Sequence, residues 1–159
     1  MRRYLLFVTA LTTLVAASAA LASGGTSIRA APLVRPGIVQ TTNTSTDPTA
    51  DGNIGSEVSL GCWHSLQYWR LQLKAGDQAS FSGKMGIGAY EFEMAVFPSG
   101  TTDANIDKAT ALVTKLVTAK PMSLKAAKTG TYVVVAGPDC YHGENGAFSF
   151  TVTVKRART

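Results

Sequence analysis

An antiparallel β-sandwich is the fold class this sequence predicts, and three observations predict it. Short apolar/polar alternations of period 2 recur after Asn53, Gly- and Pro-bearing turns punctuate them, and charged residues make up only 16% of the chain, too few for the solvated faces of a helical bundle. No strand–helix–strand alternation appears, which removes a parallel sheet. With 159 residues, 45% of them hydrophobic, the chain is expected to form one domain with its own core rather than a disordered polymer.

The elements follow in order. Residues 1–22 carry Arg2 and Arg3, an apolar run from Tyr4 to Ala17 and an Ala20-Leu21-Ala22 site, which together predict a secretory signal peptide cut after Ala22. The run falls short of the roughly 20 strongly apolar residues of a span, so no stable membrane anchor is expected after cleavage. The mature chain is expected to be secreted, either extracellular or periplasmic. Residues 23–53 are rich in Ser, Thr, Gly, Pro and Ala without any period, predicting a flexible leader; Thr41–Thr46 would equally suit a glycosylated stalk.

The sandwich is expected over 54–155. Trp69, Leu71 and Leu73 alternate with Tyr68, Arg70, Gln72 and Lys74 as one apolar and one wetter strand face, ending at the turn Ala75-Gly76-Asp77. Gln78–Ser82 follows with Ala79 and Phe81, then a glycine-rich break at Gly83, Gly86 and Gly88. Tyr90–Phe97 places Tyr90, Phe92, Met94 and Val96 on one face and ends at Pro98-Ser99-Gly100. Met122, Leu124 and Ala126 precede a Lys128-Thr129-Gly130 turn, Tyr132–Ala136 is an apolar run, and Phe148, Phe150, Val152 and Val154 alternate with Ser149, Thr151 and Thr153. Between them, Ala109–Thr118 has apolar residues at helical spacing but β-branched composition, consistent with a short helix or an irregular crossover.

Charge bounds the partners. Without Arg2 and Arg3 the chain has 13 basic against 10 acidic residues, a net +3, and three of the basic residues are Lys155, Arg156 and Arg158. The remaining body is near neutral without a basic stripe, so no nucleic-acid partner is expected, and 156–159 reads as a solvated basic tail. Export places Cys62 and Cys140 where an even pair joins. The loop so closed, counting both cysteines, holds 79 residues, for which chain entropy gives at most about 4.5 kcal/mol.

Four segments carry a family resemblance. Tyr68-Trp69-Arg70-Leu71-Gln72-Leu73-Lys74-Ala75-Gly76-Asp77 resembles the "YYRF-x-L-x-AGD" strand and turn of the bacterial pre-peptidase C-terminal domain. Phe92–Gly100 is similar to its "L-x-LYDPSG" segment, Leu124–Val135 to "L-x-A-x-x-TGTYYVVV", and Ala147–Val154 to its last strand. The resemblance covers Gly61–Lys155 and implies a jelly-roll β-sandwich, usually an accessory module trailing a secreted protease and here a stand-alone version. It implies a protein or polysaccharide ligand and, in some members, calcium at acidic positions. Here His64, Ser65, Leu66 and Gln67 replace the acidic residue ahead of the first motif, which argues against that calcium site.

Catalytic material is thin. A nucleophile needs a base and a group to orient it, yet the only histidines are His64 and His142, and no Gly-x-Ser-x-Gly elbow occurs. Glu91 and Glu93 share a strand face, which suits a paired-carboxylate site or simply a solvated face. Asp47, Asp51, Asn53 and Glu57 are the candidate calcium ligands, but they miss the EF-hand order; no zinc spacing occurs.

The distinctive feature is the pair Cys62-Trp63-His64 and Cys140-Tyr141-His142. Joined by a disulfide, it would gather two aromatics and two histidines, with Asp139 and Glu144, at one edge as a binding surface for a sugar or peptide. The competing arrangement has the rings covering the disulfide and the histidines facing water. The expectation is a non-enzymatic secreted binding module with no cofactor, its ligand an extracellular protein or polysaccharide. The alternatives are a purely structural envelope module or a small secreted hydrolase or inhibitor.

Overall fold

The computed structural model describes residues 24–43, 66–85, 92–116, 120–138 and 147–158. Eight strands form: β1 (Val39–Asn43), β2 (Gln67–Leu73), β3 (Gln78–Met85), β4 (Phe92–Phe97), β5 (Val113–Leu116), β6 (Met122–Lys125), β7 (Gly130–Pro138) and β8 (Ala147–Lys155). They make two four-stranded sheets, ordered β1-β8-β3-β6 and β2-β7-β4-β5. The pairs β1·β8, β2·β7, β3·β6 and β4·β5 are all antiparallel neighbours. That is the order left when one long hairpin is rolled so that its arms alternate between sheets, the jelly roll.

The roll sorts its connections. Asn43 lies opposite Ala147, Gln67 opposite Ala136 and Phe92 opposite Pro138, so the connections 44–66, 86–91, 117–121 and 139–146 leave from one end. The turn 74–77, the stretches 98–112 and 126–129, the entry to β1 and the C-terminal segment belong to the other end. Gly76 has φ +85°, a left-handed conformation that the tight β2–β3 turn requires and that glycine adopts without strain.

Between the sheets, Trp69, Leu71 and Leu73 meet Ala79, Phe81, Phe148, Phe150 and Val152, with Phe92, Met94, Val96, Met122, Tyr132 and Val134 completing the core. Trp69 packs edge-on to Phe150 (centroids 4.8 Å apart, 89°), and Phe92 stacks on Phe148 at 4.5 Å. The alternation read in β2 and β8 is thereby accounted for.

The leader is corrected. Residues 24–43, expected to be flexible, are part of the domain: β1 forms there, and Ile28, Ala31 and Val34 are buried. Gly25 exchanges backbone hydrogen bonds with Tyr68 at 2.9 Å, Arg70 N donates to Pro32 O, and Val34 N donates to Arg70 O. The segment covers the outer face of the second sheet, where Ile28, Ala31, Leu66, Tyr68, Ala95, Phe97, Ile106, Val133 and Val135 form a second cluster.

Part of that sheet is therefore covered on both sides, so Tyr68 is buried rather than on a wetter face, while Arg70 and Gln72 farther along β2 stay exposed. It also explains why β7 reads as a continuous apolar run, the pattern of a strand covered on both faces. Within the ambiguous stretch 109–118, Val113–Leu116 is strand β5, preceded by a 3-10 turn at Ile106–Lys108. β3 also continues through Gly83 to Met85.

Candidate functional site

The sequence-predicted cluster, Cys62, Trp63, His64, Cys140, Tyr141 and His142, lies outside the described residues, as do Asp139, Glu144, Glu91 and the calcium candidates Asp47, Asp51, Asn53 and Glu57. Gln67 at the start of β2 faces Ala136 near the end of β7, so the chain enters β2 and leaves β7 side by side at one end. Glu93, the described half of the carboxylate pair, is half-buried on β4. The strand aromatics Trp69, Phe92, Tyr132, Phe148 and Phe150 are core, as their alternation requires.

The opposite end is organised by Asp77, whose side chain is 1% exposed. Its Oδ2 accepts from Lys74 N (2.9 Å) and Arg156 Nη1 (2.6 Å), and Oδ1 accepts from Ala157 N (3.0 Å). The Lys74 amide above all, then Ala157 and Arg156, hold the carboxyl down at about 2 although burial acts against ionisation. The C-terminal segment is thus exposed, as a solvated tail would be, yet anchored through Arg156 and Ala157. Tyr132 Oη donates to Lys128 O (2.7 Å), Ala75 N donates to Thr129 Oγ1 (3.0 Å), and Gly76 N donates to Ala126 O (2.7 Å), so both turns at this end are fastened together.

On the covered sheet, Tyr68 is raised to about 12, first by burial and then by the nearby carboxylates Asp103 and Asp107. Asp103 accepts the amides of Ile28 (2.7 Å) and Arg29 (3.1 Å), fixing the N-terminal segment over the ring.

No family model and no curated protein matches this sequence. Solved structures do share the fold. The periplasmic inhibitor of g-type lysozyme PliG from Aeromonas hydrophila superposes with TM-score 0.51 at 11% identity over 84% of this chain and 96% of that one. CorA, a surface-associated copper-binding protein of Methylomicrobium album BG8, superposes with TM-score 0.54 at 7% identity over 84% of this chain and all of that one. At such identities the likeness is one of fold. Among the described residues no helix is long and apolar enough to cross a membrane, and no group of metal-ligating side chains is present.

The sequence reading missed the clasp at Asp77 and the covering segment 24–34. The first has a local trace: Asp77 closes an Ala-Gly-Asp turn, and its carboxylate accepts the Lys74 amide three residues earlier.

Proposed function

We propose that this chain is a secreted, non-enzymatic jelly-roll binding module of the pre-peptidase C-terminal kind, engaging an extracellular protein or polysaccharide through residues 62–64 and 140–142. The observation that carries this reading is the register pair Gln67–Ala136, which starts both connections from adjacent strands at one end of the sandwich. Four residues separate Cys62 from Gln67 and three separate Ala136 from Cys140, so a disulfide is within chain reach. The four motifs fall on β2, β4, β6–β7 and β8 in family order. The two neighbours of like fold are described as a lysozyme inhibitor and a copper-binding protein, which fits a scaffold that can carry different functions.

The test is a binding screen of the mature chain against immobilised glycans and extracellular proteins, repeated with Trp63→Ala/Tyr141→Ala. Ligand capture that falls at least tenfold in a variant of near-normal melting temperature supports the reading. Unchanged affinity moves the interface elsewhere, and collapse of stability shows that the rings are core.

A further inference from the structure

The near-neutral body expected from the charge count conceals an uneven distribution. The segments 44–65, 86–91 and 139–146 hold six of the ten carboxylates and no Lys or Arg, so the rest of the chain after Ala22 carries 13 basic residues against four carboxylates, a net +9.

Strand register concentrates part of this excess. On the solvent side of the first sheet, Gln78 is flanked by Lys125 of β6 and Lys155 of β8, and the next row is Ser123, Ser80 and Thr153. Ala79, Phe81, Met122 and Val152 occupy the opposite, core side. The two rows line an open depression of about 490 Å³. Two strand spacings put the lysine backbones about 10 Å apart. A second depression of about 300 Å³ is lined by Lys74, Thr129, Thr131 and Arg156, and Lys128 stands on the turn beside it. Neither depression has a carboxylate in its lining: Asp77 is buried and already satisfied by its donors, and Asp103 accepts the Ile28 and Arg29 amides beside the covered sheet. Lys125 and Lys155 are exposed and make no ion pair among the described residues.

We infer that this basic end, centred on Lys125, Lys155, Ser80, Ser123 and Thr153, is a second binding site, for an acidic polysaccharide bearing carboxylate or sulfate groups. Cations spaced across two strands suit a polymer whose anionic groups repeat, and the hydroxyl row between them can donate to and accept from sugar hydroxyls. No aromatic ring lines either depression, so the base stacking that single-stranded nucleic acid uses has no platform here. Among the described residues the exposed large apolar side chains, Leu33, Ile38, Val39 and Leu112, line neither depression. This site is independent of the connections carrying Trp63 and Tyr141.

The experiment measures binding of the mature chain to alginate and dextran sulfate, with neutral dextran, a single-stranded DNA oligonucleotide and anionic phospholipid vesicles as comparisons. Either acidic glycan, but not neutral dextran, should bind, and the alginate and dextran sulfate arms decide between carboxylate and sulfate. Lys125→Gln/Lys155→Gln should weaken binding about tenfold at low salt and flatten its salt dependence. Ser80→Ala/Thr153→Val should weaken it about threefold without changing that slope. Arg29→Gln, an exposed cation beside the covered sheet, should change nothing. Equal melting temperatures verify that the lysine variant folds. Absence of acidic-glycan binding, wild-type affinity in the lysine variant, equal binding of neutral dextran, or tighter binding of DNA or vesicles would each overturn the inference.

Discussion

Arg156 Nη1 donates to Asp77 Oδ2 at 2.6 Å across 79 positions of sequence, tying the C-terminal segment to the β2–β3 turn. Arg156 is 58% exposed while Asp77 is 1% exposed, so the pair is lopsided: the carboxylate depends on its partners more than the guanidinium does. Solvent screens the arginine's share, whereas the two backbone amides reach Asp77 from within the fold. Arg156→Ala should therefore cost less stability than Asp77→Ala. Melting curves of the two variants test that order, with about 5 °C expected for Asp77→Ala.

The same carboxylate sets an acid limit. Its folded-state value, near 2, lies below the ordinary 3.8, so its contribution is complete above about pH 4 and is lost as pH falls toward 2. Urea midpoints measured between pH 5 and 2 should fall for the wild type, and more shallowly for Asp77→Asn.

Tyr68 sets an alkaline limit of opposite sign. Folding favours its neutral phenol, raised from 10.0 to about 12, so stability is complete below pH 10 and declines as pH rises through 12. Absorbance titration near 295 nm should show a late-ionising tyrosine that is lost in Tyr68→Phe.

The covering segment is integral to the fold. A Cβ on Gly25 would come within 2.7 Å of the backbone at Ala30 and Ala31, so Gly25→Ala forces main-chain movement rather than a side-chain adjustment. Ile28→Ala should cost about 2–5 kcal/mol by opening the outer cluster over Tyr68. Hydrogen exchange provides the independent check: the Gly25 and Val34 amides, both bonded to β2, should be protected in the wild type.

The core aromatics give the largest expected loss. Phe150 sits edge-on to Trp69, and Phe150→Ala should cost about 3–5 kcal/mol in denaturant unfolding, against less than 1 kcal/mol for Ser82→Ala on the exposed face.

These contrasts mark what could be read in the sequence. Strict alternation in 69–73 and 148–154, with the Ala-Gly-Asp and Lys-Thr-Gly turns, is a local signal of a half-buried strand, and β2 and β8 form where it occurs. Residues 24–34 have no local signal, because Ile28, Ala31 and Val34 are isolated apolar residues whose burial depends on β2 and on Asp103, tens of positions away. Val113–Leu116 was ambiguous for another reason: helical spacing and β-branched composition disagree there, and pairing with β4 decides for strand. The basic end was invisible in the charge count because Lys125 and Lys155 come to flank Gln78 only through the roll's non-local pairing. The candidate residues at the other end were legible as a repeated Cys-aromatic-His pattern, but their side-chain arrangement belongs to residues outside those described.

The most direct test of a module that binds through the ends of a rigid jelly roll is amide chemical-shift mapping of the mature chain titrated with alginate oligosaccharide. Perturbations should concentrate at Gln78, Ser80, Ser123, Lys125, Thr153 and Lys155, with Met94, Val96 and Val134 in the core unmoved. Perturbations centred instead on the core or on the covered face around Tyr68 and Phe97, or none at millimolar sugar, would contradict it.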